Sequence, residues 1–305
     1  MANVTLKQLR YFEALARQGH FGRAAETCAI TQPALSMQIR ELEAELGAAL
    51  FERGARAVRL TGLGVEFAER ARDILRAVDE LAELARAARD QLSGRLRLGV
   101  IPTIAPYLLP AIAAGLARDF PGLELHLRET VTPRLIRELG EGRLDAAVVA
   151  LPVSEPALHE VALFAEEFVL VRPEADAGKP VPDRARLREM RLLLLEEGHC
   201  FRDQALSFCD IRSAHPREVM DGSSLATLVQ MVGAGIGVTL IPEMAVPVET
   251  RSARVSISRF GAPRPSRTIG MVWRRTSPLA RQLAQVAEVV RSAGAGDGSP
   301  APAAG

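Results

Sequence analysis

Two of the chain's three cysteines, Cys200 and Cys209, lie close together in the sequence, and a close pair of thiols is suited to reversible redox chemistry. The spacing is too short for a disulfide that joins distant parts of a domain. The sequence also lacks the CxxC spacing and second ligand cluster of a zinc site. A thiol switch is therefore one interpretation of the pair. Two inert, half-buried thiols in a loop are the alternative.

The segment between the two cysteines, residues 201–208, favours a helix by its composition. Cys200 would then lie at a helix N-terminus, where a thiolate is stabilised, and a thiolate attacks the O–O bond of a peroxide far faster than a thiol does. A helical rise of about 1.5 Å per residue places the two Cα atoms roughly 13 Å apart, whereas a disulfide needs about 5.5 Å. Disulfide formation must then unwind the segment. The third cysteine, Cys28, lies among alanines and is predicted to be a small core residue.

Length and composition indicate a globular protein with one large or two to three ordinary domains. The chain has 305 residues, 48% of them hydrophobic, and a net charge of +1. No apolar run reaches the roughly 18 residues of a membrane span, and no signal-peptide core follows Met1, so we expect a cytoplasmic protein without a membrane partner. Cytoplasmic cysteines normally rest as thiols. Any nucleic-acid binding must come from a local arrangement of groups.

The N-terminal region has the pattern of a winged helix-turn-helix. Apolar spacing predicts a helix over residues 5–18, a short helix over 21–28 and a longer helix over Gln32–Leu46, which Thr31 caps and Gly47 ends. A basic hairpin, or wing, is predicted over residues 48–60. Residues 1–61 are therefore predicted to bind DNA.

One face of the longer helix offers groups that read bases or contact phosphates in a major groove. A solvated helix face is the alternative interpretation. The predicted DNA-binding residues, with one arginine from the wing, are Thr31, Gln32, Pro33, Ser36, Met37, Arg40 and Arg53.

A long helix is predicted to follow over residues 62–93, with a narrow apolar stripe at heptad spacing. Such a stripe needs a cover, which we expect to be the same helix of a partner chain; packing on the chain's own first helix is the alternative. The stripe consists of Phe67, Ala71, Ile74, Val78, Leu81, Ala85, Ala88 and Leu92.

The remaining chain alternates short apolar strands with helices, which predicts an α/β domain over residues 94–292 with largely parallel sheets. The predicted strands are 96–101, 123–127, 145–150, 168–171, 192–195, 237–241 and 269–273. Residues 293–305 are rich in Gly, Pro, Ala and Ser and are predicted to form a disordered tail.

Several motifs of the N-terminal region belong together: Ala24-Ala25-Glu26, Thr31-Gln32-Pro33-Ala34-Leu35-Ser36, Leu42-Glu43, Leu46-Gly47 and Leu50-Phe51-Glu52-Arg53. Together they resemble the LysR-type transcriptional regulators. The resemblance implies an N-terminal winged helix-turn-helix, a long linker helix that dimerises, and a two-lobed α/β effector domain like the periplasmic binding proteins. It covers essentially the whole chain except the tail.

Further motifs are similar to those of family members that sense hydrogen peroxide. They include Gly198-His199-Cys200, Arg202-Asp203-Gln204-Ala205, Pro106-Tyr107-Leu108-Leu109-Pro110 and Gly142-Arg143-Leu144-Asp145. This similarity implies that peroxide oxidises Cys200 to sulfenic acid and that Cys209 resolves it to a disulfide. It also implies a peroxide pocket formed by Thr103, Thr132, His199, Asp203 and Arg274. Each of these five has an ordinary alternative, since threonine and aspartate cap helices, histidine supports hydrogen bonds, and arginine flanks strands.

The resemblance implies an activator of oxidative-stress genes with promoter DNA, hydrogen peroxide, RNA polymerase and a disulfide reductant as partners. It also implies a homodimer or a dimer-of-dimers tetramer, without cofactor, metal or enzymatic activity. Two alternative functions are a LysR-type regulator that binds an organic metabolite, and a thiol peroxidase. The chain departs from the family pattern at Met37, which bears on its DNA sequence preference, and in residues 210–216 after Cys209.

Overall fold

A computed structural model describes residues 3–52, 58–87, 92–209 and 221–295 of the chain. The predicted wing residue Arg53, the divergent segment 210–216 and most of the predicted tail lie outside the described residues. The chain divides into two compact units, Met1–Ala85 and Arg86–Gly305, and each is described separately.

The first unit contains the predicted helix-turn-helix, and local capping sets its helix ends. Its helices are α1 (Leu6–Gln18), α2 (Phe21–Thr27), α3 (Gln32–Leu46) and α4 (Gly62–Ala87). Thr5 begins α1 with a capping box, and the hydroxyl of Thr31 accepts a hydrogen bond from the amide of Ala34. Gly47 ends α3 with a φ of 66°, a left-handed conformation that glycine adopts without strain.

The core of this unit lies between α1, α3 and the start of α4. Leu35 and Leu42 on the inner face of α3 are completely buried. The Phe12 ring contacts the Phe67 ring edge-on, with the centroids 5.0 Å apart. After α3 the chain turns back, and an antiparallel bridge between Phe51 and Leu60 marks the base of the predicted wing. The described ends of the wing thus pack against the helix-turn-helix.

The apolar stripe of α4 is covered within the chain along its first part and exposed along its later part. Its beginning packs on the unit's own core, because Ala71 is buried there and Phe67 contacts α1. Farther along, Ile74 and Leu81 are 48% and 65% exposed. The first part of the stripe therefore has its cover within the chain, whereas the later part leaves an apolar face open for another molecule.

The second unit contains nine strands and seven helices within its described residues. The strands are β1 (Gly94–Val100), β2 (Leu123–Glu129), β3 (Ala146–Leu151), β4 (Leu158–Pro173), β5 (Leu194–Leu195), β6 (Asp221–Gly222), β7 (Thr239–Pro242), β8 (Val255–Arg259) and β9 (Ser266–Arg274). The helices are α5 (Ala105–Asp119), α6 (Thr132–Gly140), α7 (Arg184–Glu189), α8 (Cys200–Phe208), α9 (Leu225–Gly233), α10 (Val246–Glu249) and α11 (Ala280–Gly294).

The unit is two-lobed because its buried apolar residues form two separate clusters. We define lobe 1 as β1, β2, β3, α5, α6 and α11, and lobe 2 as β5, β6, β7, β8 and α7 to α10. The strand β4 contributes Phe164 to the core of lobe 1 and Phe168 to the core of lobe 2. A continuous strand therefore connects the two lobes.

The prediction of largely parallel sheets is wrong. β1 pairs in parallel with β2 and β3, but β9 pairs antiparallel with both β3 and β4, and β4 pairs antiparallel with β7 and β8. The two long strands β4 and β9 pass the chain between the lobes in opposite directions, so the sheet is mixed. The strand predicted at 168–171 is only the last part of β4, and the sequence pattern predicted neither the two-residue strand β6 nor β8.

The last helix also corrects a predicted boundary. α11 continues through Gly294, so residues 293 and 294 are helical rather than part of a disordered tail. No helix in the described ranges is both long and apolar enough to cross a membrane.

Candidate functional site

Cys200 is the first residue of α8, as its sequence setting predicts. Gly198 enables the chain to enter the helix there, because its φ of 95° lies in a region that residues with a side chain rarely adopt. His199 is the N-cap residue and is buried. Burial lowers the pKa of His199, and nearby Glu196 partly offsets the effect, so the site favours the neutral imidazole. Cys200 therefore begins α8 directly after a buried histidine.

Cys200 lines a cavity of about 460 Å³ that residues of both lobes surround. Lobe 1 contributes Thr132, Ile136 and Val153, and lobe 2 contributes Cys200 and Asp203. The Thr132 hydroxyl is buried and has no hydrogen-bond partner in the part of the chain that the structure describes. A buried hydroxyl without a partner is costly unless a bound molecule satisfies it. The cavity is therefore lined both by Cys200 and by Thr132, whose hydroxyl is available to a bound molecule.

The two thiols lie in different surroundings at opposite ends of α8. Cys200 is half-buried and packs against the core of lobe 1, whereas Cys209 is completely buried in the core of lobe 2. Burial raises the pKa of Cys209 to about 11, although Arg184 and Arg188 act in the opposite direction. All three cysteines are present as free thiols. A disulfide between the pair therefore requires Cys209 to leave its core and α8 to lose its helical form.

This difference predicts unequal alkylation of the reduced chain. With iodoacetamide near pH 8, we expect Cys200 to react at least tenfold faster than Cys209, because Cys200 lines a cavity and Cys209 is a buried, protonated thiol. Mass spectrometry of time points quantifies each modified peptide. Urea-unfolded protein serves as the control, in which the two rates converge. Equal rates in the native protein would contradict the structural assignment.

Arg267, at the start of β9, connects the two lobes around the site. Its guanidinium donates to the Thr103 hydroxyl at 2.8 Å and to the Thr103 carbonyl at 3.1 Å. It also forms a buried ion pair with Glu166 at 2.6 Å and lies 5.3 Å from the centroid of the Phe201 ring. Phe201 packs edge-on against Phe168. Arg267 thus joins the loop after β1 to the helix that begins with Cys200.

Three of the predicted pocket residues do not line the cavity. The guanidinium of Arg274 donates to the carbonyls of Leu139 and Leu144, each at 2.9 Å. Arg274, Thr103 and His199 are all buried, but they are not among the residues that line the cavity. The structure therefore brings Cys200, Thr132 and Asp203 together. The arginine that is hydrogen-bonded to Thr103 is Arg267, which the sequence pattern did not indicate.

The predicted DNA-binding face of α3 is accessible. Gln32, Pro33 and Arg40 are exposed, Ser36 is half-buried, and Met37 is 53% exposed. Thr31, which caps the helix, is exposed as well. The helix N-terminus and its polar face are thus free to enter a groove of DNA.

Two family models match the chain and together cover nearly all of it. Residues 6–65 match the bacterial regulatory helix-turn-helix protein of the lysR family, and residues 89–295 match the LysR substrate-binding domain. These ranges agree with the two units of the fold.

The chain is also similar to curated proteins of similar length that are named as regulators or gene activators. The chain is 42% identical over 291 residues to the DNA-binding transcriptional dual regulator OxyR of Escherichia coli strain K12, covering 95% of both chains. It is 43% identical over 277 residues to a probable hydrogen peroxide-inducible genes activator of Mycobacterium avium, covering 90% of this chain and 89% of the relative.

Solved structures give the same result for the fold. A full-length cysteine-to-aspartate variant of OxyR from Pseudomonas aeruginosa matches with a TM-score of 0.75 and 38% identity, covering 95% of this chain and 96% of that one. A cysteine-to-serine variant of OxyR from Corynebacterium glutamicum, with hydrogen peroxide bound, matches with a TM-score of 0.65 and 35% identity, covering 95% and 92%. The chain therefore belongs to the LysR family of helix-turn-helix regulators and, within it, to the group that includes OxyR.

Proposed function

We propose that this chain is a transcriptional regulator that senses hydrogen peroxide through a reversible disulfide between Cys200 and Cys209. The proposal rests on the placement of Cys200 at the start of α8, where it lines a cavity together with Thr132, while Cys209 is buried at the far end of the helix. The Thr132 hydroxyl has no hydrogen-bond partner among the described residues. The relatives named for OxyR and for peroxide-inducible genes support the same function.

The proposed chemistry has two steps. The Cys200 thiolate attacks one oxygen of hydrogen peroxide, the O–O bond breaks, and the leaving hydroxide takes a proton to become water. The sulfenic acid on Cys200 is then attacked by the sulfur of Cys209, which forms the S–S bond and releases a second water. Thr132 and Asp203 are assigned to binding and proton transfer in the cavity. Thr103, His199 and a guanidinium support the site, and we assign the guanidinium to Arg267 in preference to Arg274 because Arg267 contacts Thr103.

Oxidation is proposed to change DNA binding because it unfolds α8, which packs in both lobes. The exposed face of α3 would contact promoter DNA, with Arg53 of the wing on a phosphate. The exposed stripe of α4 around Leu81 supports a homodimer, and two dimers would form the tetramer. We further propose that the protein acts in the cytoplasm as an activator of oxidative-stress genes, with RNA polymerase and a disulfide reductant as partners.

A footprinting experiment tests this function. Reduced, peroxide-oxidised and Cys200→Ser protein are compared on the upstream region of the chain's own gene. We expect the footprint to differ between the reduced and oxidised protein, and we expect the variant to keep the reduced pattern with or without peroxide. Identical footprints of the wild-type protein in both redox states would contradict the proposal.

The cavity also suits a second candidate function, a regulator that binds a small organic metabolite. A volume of about 460 Å³ exceeds what one peroxide molecule needs and approaches the size of ordinary small-molecule sites. This candidate predicts that the Cys200→Ser variant regulates normally when the metabolite is present. The same footprinting series therefore separates the two functions, and sustained peroxide turnover with a thiol reductant would instead indicate a peroxidase.

Replacing Thr132 by valine tests the role of its hydroxyl. We expect oxidation of Cys200 to slow by about tenfold, the effect of losing one hydrogen bond of ~1.4 kcal/mol to the reacting peroxide. Stability should not fall, because valine removes a buried hydroxyl for which the described part of the chain offers no hydrogen-bond partner. Stopped-flow oxidation followed by sulfenic-acid trapping gives the rate. Thr130→Val, two residues before Thr132 and outside the cavity lining, is the matched control; equal rates in both variants would count against the assignment.

A further inference from the structure

The C-terminal end of α8 is held by two arginines of α7. Arg188 donates from Nε to the backbone carbonyl of Cys209 at 2.9 Å. The guanidinium of Arg184 lies 4.9 Å from the centroid of the Phe208 ring, which also packs edge-on with the Phe260 ring at a centroid distance of 5.0 Å. Arg184 and Arg188, one turn apart on α7, therefore contact Phe208 and Cys209 at the end of α8.

These contacts stabilise the helical form of that end in three ways. The final carbonyls of a helix lack partners within the helix, and Arg188 satisfies the carbonyl of Cys209. Positive charge is favourable at a helix C-terminus, where the backbone dipole is negative. The planar Arg184 guanidinium over the Phe208 ring adds a cation–π contact. All three are lost when the end of α8 unwinds.

We propose that Arg184 and Arg188 form a clamp that holds Cys209 in the reduced helix and thereby sets the rate of disulfide closure. The inference rests on the proposed function above. The sulfenic acid on Cys200 and the thiol of Cys209 combine to a disulfide and water only after Cys209 leaves its core. The two arginines are positioning residues, and they act on closure, while the reaction of Cys200 with peroxide proceeds at the other end of α8.

The charges of the clamp also act on the sulfur, in the opposite direction. Arg184 and Arg188 oppose the rise in the pKa of Cys209, so their removal makes the buried thiol less acidic. This effect applies to the buried state, in which Cys209 is roughly 13 Å from Cys200 along the helix and does not react. The effect of the arginines on the helix end therefore outweighs their effect on the pKa of Cys209. Loss of the clamp accelerates disulfide closure.

The test uses the full-length reduced chain mixed with excess hydrogen peroxide and quenched over time with a sulfenic-acid trap and a thiol alkylator. Mass spectrometry measures the Cys200 sulfenic acid and the disulfide separately. We expect Arg188→Leu to accelerate closure about fivefold, the change expected for one partly exposed charge-assisted hydrogen bond. Arg188→Lys, which keeps a cationic donor, should restore most of the wild-type rate.

Arg186→Leu is the matched control, because it removes the same charge from an exposed side chain of α7 that makes neither contact in the described residues. It should close at the wild-type rate. Equal closure rates for Arg186→Leu and Arg188→Leu would overturn the clamp. Hydrogen exchange gives a second measurement, since the amides of Phe208 and Cys209 should exchange faster only in Arg188→Leu.

The two proposals fail in distinguishable ways. If the wild-type chain forms neither the sulfenic acid nor the disulfide, the peroxide function fails. If the wild-type chain forms both and Arg188→Leu closes at the same rate, the clamp alone is wrong.

Discussion

Replacing Cys200 by serine should abolish the response to peroxide completely. Serine keeps the size and the polar character of the side chain, but its hydroxyl does not ionise near neutral pH and does not attack the O–O bond. The variant should form no sulfenic acid and no internal disulfide, and its DNA footprint should stay in the reduced form at any peroxide concentration. Footprinting together with disulfide mapping measures both effects on the same samples.

Two other cysteine variants serve as controls for this prediction. Cys28→Ala changes a half-buried thiol in the DNA-binding unit and should respond as the wild type does. Cys209→Ser keeps the attacking sulfur but lacks the resolving one, so it should accumulate Cys200 sulfenic acid without a disulfide. A Cys200→Ser protein that still changes its footprint with peroxide would contradict the assignment of Cys200.

The second large effect is expected on stability, from Arg267→Leu. The substitution leaves the Glu166 carboxylate buried without its guanidinium partner and removes both hydrogen bonds to Thr103. Breaking a buried ion pair by removing one partner destabilises a protein by about 3–5 kcal/mol. We expect a decrease of that size in the free energy of unfolding of the effector unit, measured by urea denaturation of the full chain.

This deficit should depend on pH through Glu166. Burial raises the pKa of Glu166 and Arg267 opposes the rise, so the variant carries the larger upward shift. A carboxyl whose pKa is raised by folding stabilises the folded state fully at pH values below its unfolded pKa of about 4.3. That stabilisation is lost as the pH rises through the folded pKa. The deficit of Arg267→Leu should therefore narrow as the pH falls from 7 towards 5.

A nearby arginine gives the matched control for Arg267. Arg264 forms an ion pair with Glu167 at 2.9 Å, and the two side chains are 50% and 36% exposed. Exposed pairs of this kind contribute about 0–1 kcal/mol, so Arg264→Leu should leave stability nearly unchanged. Equal losses of stability in the two variants would contradict the prediction, because the buried Arg267–Glu166 pair would then contribute no more than an exposed pair.

The sequence predicted the helix-turn-helix closely because local chemistry sets its ends. Thr5 and Thr31 cap helices with their own hydroxyls, and Gly47 ends α3 in a left-handed conformation. Each of these decisions involves residues only a few positions apart. The start of α8 at Cys200 was predictable for the same reason.

The sheet order was not predictable in this way. Strand pairing joins residues far apart in the chain, and nothing local to residues 158–173 indicates that one strand serves two cores. The choice between Arg267 and Arg274 as the arginine of the site depended on the strand pairing. Arg267 and Arg274 are an odd number of positions apart on β9, so the alternation of a strand directs them to opposite faces. Only the pairing of β9 with β4 places Arg267 beside Glu166 and Thr103.

Mapping of the disulfides after oxidation shows directly whether Cys200 and Cys209 form a bond. Reduced full-length chain is exposed to micromolar hydrogen peroxide, alkylated, digested without reduction and analysed by mass spectrometry. We expect one new cross-linked peptide that joins Cys200 to Cys209, absent before peroxide and removed again by a thiol reductant, with Cys28 alkylated throughout. The absence of that peptide, while the chain remains folded and Cys200 remains accessible to alkylation, would contradict the proposed disulfide switch.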